Sequence, residues 1–156
     1  MKNLENIENT EIQVTEKPTP GTYIGRIIAV HDCPVGFNRK KPEAGDYLKI
    51  DVDIAEGPYE HYFADFMGKN GFWGLSIYRS YKPENANYFK TFINTVQKSN
   101  PDFIWEWDEH ALEDCKIGMV LENESYTSMD GQEKTKLKVK KIITVDEAKQ
   151  KEVIYV

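Results

Sequence analysis

Residues 59–92 read YEHYFADFMGKNGFWGLSIYRSYKPENANYFKTF, and how this stretch divides into strand, loop and helix decides the fold. Residues 59–67 alternate with Tyr59, His61, Phe63 and Asp65 on one side and Tyr62, Ala64 and Phe66 on the other, which predicts a strand. Residues 68–82 are a glycine-flanked loop. Pro83 then opens a predicted helix over 84–98, with Tyr88, Phe89, Phe92, Ile93 and Val96 at offsets 0, 1, 4, 5 and 8. Eleven rings are more than one face can bury, so part of the set is expected to meet a ligand. Phe63, Phe89 and Phe92 follow core periodicity, while Phe72, Trp73 and Tyr81 fall in the loop, where a binding role competes with a packing one. Lys69 and Arg79 lie among them, and rings interleaved with cations suit a groove that stacks bases and neutralises phosphates.

Working toward the N-terminus, residues 47–55 (YLKIDVDIA) set Leu48, Ile50, Val52 and Ile54 against Tyr47, Lys49, Asp51 and Asp53. This is the pattern of a half-buried antiparallel strand, with the two aspartates expected to face water. Gly57-Pro58 turns it into the strand at 59–67. Before it, residues 31–46 form a loop with Arg39, Lys40, Lys41 and the ring of Phe37, and residues 21–30 (GTYIGRIIAV) form a first strand in which Gly25 marks a bend or close backbone approach. Residues 1–20 combine Glu5, Glu8, Glu11 and Glu16 with few apolar groups, the composition of a mobile acidic arm.

Toward the C-terminus, Asn100-Pro101 ends the helix. Phe103, Trp105 and Trp107 are expected to plug an open end of the core, and Asp108 to cap a short turn running to Glu113. Residues 116–127 and 132–144 are two strands about Asp130-Gly131, a hairpin signal. Lys134, Lys136, Lys138 and Lys140 share one face of the second, either as a phosphate surface or as a device that keeps an edge strand soluble. Residues 146–156 begin with helical chemistry at Asp146-Glu147-Ala148 and close on VIYV as a tail.

The 156 residues suffice for one domain, over 21–145, with an arm and a tail. Hydrophobic residues make up 40%, and no apolar run approaches the roughly 20 needed to span a bilayer. The N-terminus has no apolar segment of the signal-peptide kind, so a soluble, cytoplasmic protein without a membrane partner is expected. Net charge is −6, unfavourable for phosphate binding, but residues 1–20 and 102–114 hold most of the excess. Without those segments 18 basic and 16 acidic residues remain. Cys33 and Cys115 stand far apart and read as buried thiols, and neither a metal site nor a cofactor is expected.

Three strands, a helix and a two-stranded hairpin make a mainly β chain with one main helix. That is the connectivity of a five-stranded OB-fold-like antiparallel barrel, with the helix between strands three and four. Its binding face would be formed by strands two and three, flanked by the loop joining strands one and two and the loop joining strands four and five, regions that contain Phe37, Arg39, Lys40, Lys41, Tyr47, Lys49, Tyr62 and Met129. The runs PTPGTYIGRIIAV, YLKIDVDIAEGPYEHYFADF and GMVLENESYTSMDGQEKTKLKVKKII, with the aromatic helix between them, resemble a phage and prophage family of proteins related to single-stranded DNA-binding proteins, over residues 18–145. The resemblance implies sequence-tolerant single-stranded DNA binding in phage-type replication or recombination, with proteins of those processes as further partners and homo-oligomer formation left open. It does not extend to the acidic C-terminal tail by which many such proteins recruit partners, since this chain closes on KEVIYV. The expected nucleic-acid contacts are Phe37, Arg39, Lys40, Lys41, Tyr47, Lys49, Tyr62, Lys69, Phe72, Trp73, Arg79, Tyr81, Lys134, Lys136, Lys138 and Lys140.

Enzymatic motifs are missing. His31, His61 and His110 have no metalloprotease spacing, and neither a nucleophile elbow nor a phosphate-binding P-loop occurs. A non-catalytic binder is expected. The alternatives are a protein-binding module of the same fold and, more remotely, a metal-dependent nuclease built on Asp51 and Asp53.

Overall fold

The computed structural model of the chain describes residues 17–154. Residues 1–16 of the acidic arm and the last two of VIYV lie outside them. The described chain is mainly β: five antiparallel strands form one sheet, accompanied by three helices. In chain order the elements are β1 (Gly21–Cys33), β2 (Tyr47–Ile54), α1 (Tyr62–Asn70), β3 (Ser76–Ser80), α2 (Ala86–Ser99), β4 (Lys116–Thr127), β5 (Glu133–Ile143) and α3 (Val145–Ile154). The sheet runs β3-β2-β1-β4-β5, leaving β3 and β5 as its edges.

β1 holds the sheet together because it pairs with β4 through Gly21–Arg26 and with β2 through Gly25–Cys33. Its register slips between Ile27 and Ala29, and a bulge of this kind bends a strand and tightens its twist. At Gly25, which both partners share, a Cβ would stand 2.8 Å from Met119 Sδ, so the close approach expected there is present.

The strand expected at 59–67 is α1 instead, and the third strand is Ser76–Ser80. The run also satisfies the helical period: Tyr62, Phe63 and Phe66 fall at offsets 0, 1 and 4, Phe63 is buried in the core, Tyr62 packs against it, and the Phe66 ring stacks on Tyr62. Gly71, at φ 82°, ends the helix, its N–H donating to the Met67 carbonyl at 2.7 Å. The start of α1 is held by β2. Asp53, 1% exposed, accepts from the backbone N–H groups of Phe63 at 2.9 Å, Ala64 at 3.0 Å and Ile54 at 2.8 Å. An acceptor at a helix N-terminus satisfies donors that the helix itself leaves unpaired. The expectation that Asp51 and Asp53 face water is therefore corrected: both are buried, and Asp51 bonds His31 Nε2 at 2.9 Å and Ser76 Oγ at 2.6 Å.

α2 lies between strands three and four and buries Phe89, Phe92, Ile93 and Val96, each worth about 1.5–3 kcal/mol of apolar burial. Tyr88, expected in the same stripe, points outward and is 74% exposed. Asn100 closes the helix and ties it to β4, donating to the Val96 and Lys116 carbonyls and accepting from Lys116 N–H. Phe103 is buried and Trp105 packs against the core, but Trp107, expected as a plug, is 78% exposed. Asp108 accepts from His110 N–H at the head of the short turn Glu109–Leu112. β4 and β5 join through Ser128–Gln132 about Asp130-Gly131, and α3 packs back on the sheet through Ala148. Both cysteines are free and buried, and burial raises both thiol pKa values, which disfavours the reactive thiolate.

Candidate nucleic-acid interface

The pleat of β2 separates its residues cleanly. Leu48, Ile50, Val52 and Ile54 enter the core, and Tyr47 and Lys49 stand on the opposite face. On the neighbouring edge strand Lys49 is opposite Tyr78 and Tyr47 opposite Ser80. The loop between β1 and β2 folds Phe37 over the same face. Its ring meets Tyr47 edge-on at 5.6 Å, and Tyr47 meets Tyr78 at 5.8 Å and 68°. Phe37 is 43% exposed and Tyr78 57%, so the row Phe37–Tyr47–Tyr78 offers ring surface to solvent along the sheet. Turns within the loop, including Phe37 N–H to Pro34 O and Val35 N–H to the Asp46 carboxylate, hold it in shape. Arg39, Lys40 and Lys41 are exposed on it, and none is ion-paired among the described residues.

The row leads to a cleft of about 430 Å³ between the two edges of the sheet. Trp73, Tyr78 and Lys49 lie on one side, and Glu124, Lys136 and Lys138 on the other. Lys136 Nζ lies 5.5 Å from the centroid of the Tyr126 ring, itself 40% exposed. The lysine face of β5 is not a bare cationic stripe. The hairpin register sets Glu122 opposite Lys138 and Glu124 opposite Lys136, and Lys138 Nζ lies 3.3 Å from Glu122 and 3.9 Å from Glu124. Lys140 reaches Glu122 at 3.8 Å, and Lys134 stands opposite Tyr126 beyond these pairs.

Several expected contacts lie elsewhere or are engaged within the chain. Tyr62 and Lys69 belong to α1 and line a separate groove of about 550 Å³. Phe72 is 59% exposed but leans edge-on against Phe66. Trp73 is not the free loop ring expected: it is half-buried against the core, and its indole N–H donates to the Val52 carbonyl at 3.0 Å. Arg79 borders the same cleft as Tyr78, but its guanidinium lies 5.4 Å from the Phe92 ring centroid, where burial lowers its pKa. Tyr81 donates to Asp32 at 2.8 Å, and burial with that bond pushes its pKa well above the ordinary phenol value.

Tyr78 and Tyr126 were missing from the expected contacts. Tyr78 belongs to β3, which lies within the stretch expected as a loop, though SIYRS alternates as a short strand should. Tyr126, Glu122 and Glu124 follow from running the Asp130-Gly131 hairpin register back along ENESYT.

Among the described residues no three His, Cys, Asp or Glu side chains are grouped so as to hold a metal ion, and no helix is long and apolar enough to cross a membrane. In comparisons with protein-family models and with curated proteins, the chain matches none.

Proposed function

We propose that this protein is a non-catalytic, sequence-tolerant binder of single-stranded DNA, of the kind that serves phage-type replication or recombination. The observation that carries the reading is the solvent-facing row Phe37–Tyr47–Tyr78 beside Lys49, ending at a cleft whose far side bears Lys136 and Lys138. Successive rings accept bases irrespective of sequence, and cations along the path neutralise phosphates. The frame we infer is an OB-like barrel, left partly open where β3 and β5 face each other. It is supported by the strand order and by a single cleft lined from both edge strands.

A labelled oligonucleotide titrated by fluorescence anisotropy tests the proposal. Saturable binding that weakens as salt rises is expected, and Phe37→Ala and Tyr78→Ala should each cost about 1–3 kcal/mol of affinity while leaving the melting temperature unchanged. Affinity weaker than about 100 micromolar in low salt, or indifferent to salt, would sink it. The glutamates facing the β5 lysines favour a second reading, in which those lysines only keep an edge soluble and the module binds protein. Under that reading both alanine variants leave the oligonucleotide signal unaltered.

A further inference from the structure

A second aromatic site shares no lining residue with the β3/β5 cleft. Tyr81, Phe89, Trp105 and Trp107 line a cleft of about 230 Å³, together with Asp32 and Glu109. Trp105 lies 5.7 Å from Phe89 and 5.8 Å from Trp107, centroid to centroid. The bond from Tyr81 to Asp32 fixes a ring and a carboxylate side by side. Trp107 is held at φ 64°, a left-handed conformation rare for so bulky a residue, while 78% of it remains exposed. Such backbone strain tends to persist where a side chain is held ready for a ligand.

The electrostatics select the ligand. Residues 102–114 contain six acidic residues and no lysine or arginine. Among the described residues the ion-pair partner of Glu109 is His110, at 3.7 Å, and neither Asp32 nor Glu109 meets a lysine or arginine. Phosphates would be repelled from such a mouth. A neutral apolar segment would cover two carboxylates without pairing them. Ring faces attract a cation and the carboxylates complete its coordination, and a planar guanidinium satisfies both at once. We propose that this cleft receives an arginine side chain from a basic peptide segment of a partner protein, which would let the chain hold a second protein away from the surface proposed for DNA.

The test uses the full chain and a short Arg-Gly-Arg peptide, with a citrulline version that keeps the shape and removes the charge. Calorimetry measures affinity, and the indole N–H signals of Trp105 and Trp107 report the site. Saturable binding of the arginine peptide is expected, weaker by about tenfold for the citrulline peptide and for Trp107→Ala. Glu109→Gln should also weaken it, and oligonucleotide affinity should be the same for Trp107→Ala as for the parent chain. Because Trp107 is exposed, that variant should fold, and its melting curve checks this. Equal binding of the two peptides, or undiminished binding to Trp107→Ala, would overturn the proposal. So would displacement of the peptide signals by an oligonucleotide, or a Trp107-dependent self-association indifferent to the peptide. Failure of DNA binding alone would leave this site standing.

Discussion

Trp73 shows how one residue's role turns on its neighbours. In GKNGFWG it has the composition of an adaptable loop tip, yet its indole N–H is committed to the Val52 carbonyl on β2 and its ring packs against the core. Trp73→Ala should therefore act on stability, costing about 3 kcal/mol in denaturant unfolding, the lower end for aromatic truncation because the ring is only half-buried. Oligonucleotide affinity per folded molecule should fall less than for Tyr78→Ala. The reverse outcome, a stable protein with lost affinity, would return Trp73 to the stacking surface. Arg79 and Tyr81 make the same point. A cation and a ring read as ligand contacts are engaged internally, with Phe92 and Asp32.

At the scale of elements, the β4–β5 hairpin decides how much positive charge reaches the surface. Lys138 and Lys140 stand beside Glu122, and Glu124 is within 3.9 Å of Lys138. Exposed pairs of this kind contribute about 0–1 kcal/mol to folding, so their removal should hardly move the melting temperature. Their effect on phosphate binding should be larger. Glu122→Gln with Glu124→Gln frees Lys138 and Lys140, and each lysine that then contacts a phosphate should steepen the slope of log affinity against log salt by about 0.7. Tighter binding in low salt with a steeper slope is the expected result of anisotropy titrations, and an unchanged slope would mean that β5 lies off the path proposed for DNA. The neighbouring row on β2 and β3 owes its existence to α1, which takes up residues 62–70 and lets Ser76–Ser80 rather than 59–67 pair with β2.

Over the whole molecule, α3 is integral to the fold rather than a tail. It follows β5 directly, and a Cβ placed on Gly118 of β4 would collide with the Thr144 carbonyl and with Ala148 of α3. A backbone carbonyl cannot rotate aside as a side chain can, so Gly118→Ala should cost about 1–3 kcal/mol and loosen the docking of α3. Hydrogen exchange should show the α3 amides losing protection first, and unaltered stability would contradict the tight packing. Much of this architecture was legible in local pattern. β1, β2, β4, β5 and α2 follow from alternation, 3.6-residue periodicity and the Asp130-Gly131 and Asn100-Pro101 signals, because each repeats one geometric rule over many residues. What local pattern could not decide was the stretch at 59–67, where a short aromatic run satisfies both periods. Burial of Phe63 and the carboxylate of Asp53 at the helix start select the helix. The same holds for the candidate site. Phe37, Tyr47 and Lys49 were readable from their strand and loop, but the addition of Tyr78, the internal engagement of the Trp73 indole N–H and the Arg79 guanidinium and the pairing of Lys138 with Glu122 depend on which strands become neighbours. Residue type and spacing thus determined the chain's elements and its supply of rings and cations. Which of them face solvent together was decided by long-range strand pairing, because exposure is a property of the partners a residue finds and not of the residue alone.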